Sequence, residues 1–148
     1  MRDSVWPKLL GLALLGLAIA GIAWIVRGSD AVPDTVQPIE WNHQPCAHCQ
    51  MLLGEPHYAA QLITADGDVL SFDDPGCAIR FIAEHDPEVH RLWFHHGTDD
   101  RWVPSDRVMF ATGGRTPMGS GLVAVDRGAP HAIDLAAAKR VALDGGSP

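Results

Sequence analysis

The sequence predicts an α+β fold: an N-terminal transmembrane helix followed by a small domain of two strand-strand-helix units. Three observations lead there. Residues Leu9 to Val26 carry no charge. A strand-strand-helix pattern occurs twice after residue 39. The 148-residue chain leaves roughly a hundred residues beyond its leader, enough for one modest core.

The apolar run LLGLALLGLAIAGIAWIV spans about 27 Å as a helix, close to the hydrocarbon thickness of a bilayer. Trp6 and Trp24 stand near its ends, where interfacial aromatics belong. Arg2 and Lys8 precede it and only Arg27 follows closely, so the domain is expected outside the cytoplasm, facing the periplasm or cell exterior. The rival is a cleaved signal peptide with Ala18-Ile19-Ala20 as the processing site, or Ser29-Asp30-Ala31 as a weaker one. A retained anchor is the favoured reading, because a secretory apolar core is usually about 7–15 residues. No cysteine lies in or just after the run, so no lipid-attachment site is present there. The expected organisation is an anchor over 1–27, a linker over 28–38 (GSDAVPDTVQP) and a folded domain over 39–148.

Within the domain, His57–Ile63 and Val69–Phe72 read as strands joined by the Asp66-Gly67 turn signal. Asp73-Asp74-Pro75 combines an acidic cap with proline at the first helical position, which predicts a helix from Pro75 to His85. Val89–His95 reads as a third strand. Val108–Thr112 and Leu122–Val125 are strand candidates around a glycine-rich loop, and Ile133–Leu143 is an alanine-rich helix.

Charge narrows the function. From Gly28 to the end there are 8 Lys+Arg and 17 Asp+Glu, a formal charge of −9, which excludes a nucleic-acid backbone binder. Fifteen Gly and 11 Pro disfavour a coiled coil, and 3 Cys cannot staple a disulfide miniprotein.

The densest set of candidate ligands is His43-Gln-Pro-Cys46-Ala-His48-Cys49-Gln-Met51. Thiolate and thioether sulfurs are soft donors that together select Cu(I). Cys46 and Cys49 are three apart, so a tight turn brings both sulfurs to one ion. Cys49 and Met51 are two apart and share a side if the segment is extended. Zinc normally takes four ligands, and there is no second CxxC or HxxxH. Two other readings stay open. The CxxC pair can be a redox dithiol, with His48 stabilising a thiolate, although Met51-Leu-Leu-Gly54-Glu-Pro56 breaks the helix that a thioredoxin fold places next. It can also be a structural disulfide. Covalent haem needs CxxCH, and residue 50 is Gln.

Cys77 falls in the first turn of the predicted helix, among Ala78, Ile79, Phe81 and Ile82, and reads as a buried packing cysteine. Met118 lies in the flexible loop Gly113-Gly-Arg-Thr-Pro-Met118-Gly-Ser-Gly121, an unusual place for a core methionine and a plausible one for an extra thioether donor. His95 and His96 read as surface or strand-end residues.

With these residues in hand, the chain resembles the NosL family of copper chaperones, which serve the maturation of nitrous oxide reductase. The resemblance rests on Cys46-Ala-His-Cys49-Gln-Met51, Ala59-Ala-Gln61, Asp66-Gly67, Phe72-Asp73-Asp74 with Cys77, Trp102, and Pro117-Met118-Gly119-Ser-Gly121-Leu-Val-Ala124. It implies two small ββαβ units, a fold likened to organomercurial lyase. It also implies a non-enzymatic Cu(I) binder that hands copper to a protein partner. Cys49 and Met51 become the main metal ligands, with Cys46, Met118 and a histidine such as His48 completing the set. The chain departs from the pattern in three ways: Gln50 stands where the family has glycine, which predicts a less strained backbone there; no lipid-anchor cysteine is present; and no strand follows the second helix.

Overall fold

The computed structural model divides the chain into two compact units, Met1–Ala31 and Val32–Pro148. It describes residue 11 and residues 14–21 of the first and residues 32–145 of the second. Residue 11 and residues 14–21 are helical. Among the described residues no helix is long and apolar enough to cross a membrane. The rest of the Leu9–Val26 run, on which the anchor expectation depends, lies outside the described residues, as do residues 28–31 of the expected linker.

The second unit is a mixed helix-and-sheet domain. A four-stranded antiparallel sheet contains β1 (Ala60–Thr64), β2 (Val69–Phe72), β3 (Val89–His95) and β4 (Trp102–Pro104), in the order β2-β1-β3-β4. A smaller antiparallel sheet has the order β6-β5-β7, from β5 (Met109–Ala111), β6 (Val123–Val125) and β7 (Ile133–Asp134). Helix α1 (Pro75–His85) links β2 to β3, and α2 (Leu135–Asp144) follows β7. All five β1 residues are buried, as expected for the neighbour of two strands whose faces are both covered. Phe94 from β3 meets Phe110 from β5 edge to face, ring centroids 5.0 Å apart, so the two sheets share one core.

Residues 32–38 lie along this sheet. Gln61 is fully buried in β1, and its amide brackets Gln37: the Gln37 N–H donates to Oε1 at 2.6 Å, while Nε2 donates to the Gln37 carbonyl at 3.1 Å. Nε2 also reaches Ser71 Oγ at 3.2 Å, which satisfies the buried amide. Composition suggests a free linker here, but a polar side chain in the middle of a strand gives this stretch a partner.

The elements that position the site match their sequence signals most closely. α1 has the predicted bounds, with Asp74 accepting from the Gly76 N–H at 2.7 Å as the cap and Pro75 in the first turn. Gly67 takes φ +92° in the β1–β2 turn. Other elements need correction. The strand expected from His57 begins only at Ala60, because Glu55-Pro56 opens a 3-10 turn over Pro56–Tyr58. The helix expected from Ile133 begins at Leu135, because Ile133 and Asp134 first pair with β5 and Asp134 then caps α2 through the Ala137 N–H at 2.8 Å. β4 is three residues long and ends in proline, too short for a periodic signal.

Candidate metal centre

The CxxC segment is a tight hairpin loop laid on the start of α1. Its arms are tied by Asn42 N–H to Leu53 O (2.8 Å), Leu53 N–H to Gln44 O (3.0 Å) and Cys46 N–H to Met51 O (2.7 Å). The turn closes with Gln50 N–H donating to Cys46 O at 3.1 Å, and Gln50 sits at φ +63°. Two expectations fall here. Gln50 keeps the left-handed backbone that suits glycine, so the strain is not relieved. Nor is Cys49-Gln50-Met51 extended, so Cys49 and Met51 do not share a side by strand alternation. The Ala47 N–H donates to Ser71 O at 2.9 Å and joins the loop to β2.

The two aspartates after β2 hold the rest of the site. Asp73 Oδ1 accepts the Gly54 N–H at 3.0 Å, fixing the exit of the loop. Asp74 is fully buried; while Oδ1 caps α1, Oδ2 accepts the Met118 N–H at 3.1 Å. One carboxylate therefore starts the helix carrying Cys77 and clamps the distant loop carrying Met118. A Cβ on Gly76 would lie 2.5 Å from Ser120 Cβ, so glycine is what lets that loop approach.

These constraints bring three sulfurs together. The Sγ atoms of Cys46, Cys49 and Cys77 all lie within 4.8 Å of one another. Three sulfurs bonded to one ion at about 2.3 Å in a plane are about 4 Å apart, so the cluster needs little contraction to hold a metal. Cys46 and Cys77 are buried, while Cys49 is partly open to solvent. The Cys77 thiol donates to Cys46, and backbone N–H groups of Cys49, Asp73 and His48 also point at that sulfur; against the cost of burial they hold Cys46 down to about 5. Cys77 is driven far above the usual thiol range, first by donating to Cys46 and then by burial. Burial raises Cys49, opposed by the Met51 N–H. The hydrogen bond from Cys77 favours negative charge on Cys46 over its neighbours, and a metal ion bound at the three sulfurs would displace the remaining thiol protons.

Cys77 is buried in the core, as its apolar surroundings predict, but its sulfur also belongs to the cluster, which a packing role does not anticipate. The available signal was its place in the first turn of a helix capped directly after β2. Met51 is 57% exposed beside the mouth, and Met118 is half-buried against the core. His48 is not part of the sulfur group. Its Nε2 pairs with Glu84 of α1 at 3.2 Å, and its Nδ1 is buried without a hydrogen-bond partner. Glu84 lies seven residues after Cys77, on the same helix face, so the loop runs along that face from the sulfurs to the pair.

His95 and His96 are not surface residues; they are 3% and 6% exposed. His96 groups with Asp99 and Asp126. That group already has its cation: Arg101 bonds Asp99 at 3.1 Å and Asp126 at 2.6 Å. His96 Nδ1 accepts the Asp99 N–H at 3.1 Å, which leaves the proton on Nε2 and no free lone pair for a metal.

Fold and site together define a small α+β domain with a three-cysteine cluster able to hold a metal ion. The fold is that of the crystal structure of the copper chaperone NosL from Shewanella denitrificans, with a TM-score of 0.51 and 17% identity over 76% of this chain and 88% of that one. The family resemblance read from the motifs is thus borne out at the level of the fold. No protein-family model and no curated protein sequence matches the chain.

Proposed function

We propose that this protein is a Cu(I) carrier: it binds one Cu(I) at Cys46, Cys49 and Cys77 and passes it to a protein acceptor by ligand exchange. The observation that carries this reading is the convergence of three sulfurs, two buried and one open to solvent. A soft three-sulfur set suits Cu(I), whereas zinc favours four ligands, and among the described residues no fourth His, Cys, Asp or Glu joins this group. The partly open Cys49 gives an incoming ligand a place to attack before the buried pair lets go. Met51 and Met118 supply thioethers at the mouth and at the clamped loop. The fold shared with a copper chaperone supports the same reading, and carriage needs no catalytic group.

The arrangement does not suit a thiol oxidoreductase. Such an enzyme attacks with an exposed, acidic thiol. Here Cys46, the thiol that is lowered, is buried, and the partly open Cys49 is pushed up.

The reading also includes retention at the membrane. The Leu9–Val26 run and its Arg2/Lys8 flank support a single span with the domain outside the cytoplasm. The acceptor would then be a cuproenzyme or its assembly partner in that compartment, nitrous oxide reductase among them. Fractionation and protease accessibility of spheroplasts test this part; a soluble product beginning near Gly21 or Val32 overturns it.

For the metal, the reduced full chain is titrated against a Cu(I)-specific chelator, with Zn²⁺ in parallel. One Cu(I) per chain and weak Zn²⁺ binding are expected, with Cu(I) lost in Cys49→Ser and Cys77→Ser. A preference for Zn²⁺, or full Cu(I) binding by all three single cysteine variants, overturns the assignment.

A further inference from the structure

The mouth of the sulfur cluster carries an uncovered apolar pair. Met51 and Leu52 are 57% and 54% exposed, on the loop arm that leads away from Cys49. Two large apolar side chains left open beside the cluster give up solvation free energy that contact with a partner would recover. Leu52 pairs with Pro45 through its backbone, and its side chain stays outside the buried core.

The exposed charges on the pair's own stretch of chain are acidic. From Gly28 to Ile79 the chain has 8 Asp+Glu and no Lys or Arg. Exposed Glu40 and Glu55 stand at the two feet of the CxxC loop, and exposed Glu84 stands at its tip against His48. The cations nearest in sequence to the site's elements are Arg80, whose Nε is turned to Ala142 O of α2 at 3.2 Å, and exposed Arg115 on the Met118 loop. An apolar centre with an acidic rim is complementary to an apolar centre with a basic rim, and such pairing speeds encounter and sets orientation.

We infer that Met51 and Leu52, rimmed by Glu40, Glu55 and Glu84, form the docking face for a protein partner whose contact surface carries Lys and Arg around an exposed soft metal ligand. This rests on the carrier reading above, since the face is useful only if metal passes at Cys49. Docking there covers the open thiol, excludes water from the exchange and places the partner's ligand against Cys49. An acidic rim also disfavours pairing with a second copy of this chain or with an anionic membrane surface.

The test places a photoreactive p-benzoylphenylalanine at position 52 of the full chain, with position 141 of α2 as an exposed control, in membranes of the native host. Cross-linked peptides are identified by mass spectrometry. The expected adduct at position 52 is one protein, attached through a segment bearing Lys or Arg beside Cys, Met or His. Its yield falls at least fivefold when Glu40→Lys and Glu55→Lys are combined, and the control gives no such adduct. Adducts to lipid, to an acidic segment or to a second copy overturn the inference, as does a yield unmoved by charge reversal. Chelator competition on the charge-reversed and Leu52→Ala chains separates the two levels. Cu(I) affinity within threefold of the parent is expected in both. If the parent binds no Cu(I), the carrier reading fails, and the docking inference with it; if Cu(I) binds while the adduct is absent, the docking inference fails alone.

Discussion

Replacing Asp74 by alanine removes one buried carboxylate and breaks the site in two places. Oδ1 caps α1 through the Gly76 N–H, and losing such a cap costs about 1 kcal/mol. Oδ2 holds the Met118 N–H, and leaving that partly buried donor unpaired costs a further 1–2 kcal/mol, roughly. The sum, about 2–3 kcal/mol, corresponds to a fall of about 10 °C in Tm for a domain of this size. Asp74→Asn keeps an acceptor and should lose about half as much. The assay is urea denaturation of the metal-free, reduced full chain, followed by a signal from the folded domain. A second consequence is local: with the clamp gone, amide exchange in the Met118 loop should speed more than in β1. A loss below about 0.5 kcal/mol, or a loop unchanged in exchange, would mean that Asp74 does not join the helix start to the loop.

Gly76→Ala should destabilise by about 1–3 kcal/mol, because its Cβ meets Ser120 Cβ at 2.5 Å; adding Ser120→Gly should restore part of the loss, and strict additivity in the double variant would count against the contact. Alkylation of the metal-free chain should begin at Cys49, the open thiol. Because burial raises its pKa, the thiolate fraction is small at neutrality, and the rate should climb about tenfold per pH unit through pH 7–8. A rate already flat from pH 6 would contradict that direction. Oxidation that joins Cys46 to Cys49 should abolish Cu(I) binding, read by chelator competition before and after reduction; equal affinity in both states would show that the pair are not joint ligands.

Much of the site was legible because each part has a local signal. Asp74-Pro75 marks a helix start through capping chemistry, and α1 begins and ends where that signal and the apolar spacing place it. The CxxC spacing announces two convergent thiols, and Asp66-Gly67 announces the hairpin that presents β2. What stayed hidden depends on contacts between distant segments. Cys77 looks like a core residue because it is one; only the packing of the CxxC loop on the helix start brings its sulfur into the cluster. The turn at Gln50 looks ordinary until the hydrogen bond to Cys46 O forces positive φ on a residue that rarely adopts it. The burial of His95 follows from its packing between His57 and Trp102, and that of His96 from the loop folded over it, where the Asp99 N–H donates to its ring. β4 exists because β3 offers an open edge, not because three residues prefer to be extended.

The central claim is that three cysteine sulfurs hold one Cu(I). X-ray absorption of the Cu(I)-loaded full chain, alongside Cys77→Ser, measures it most directly. A first shell of sulfur alone is predicted for the parent, with one sulfur fewer or no bound copper in the variant. A shell dominated by nitrogen or oxygen, or a parent spectrum unchanged by Cys77→Ser, would contradict it.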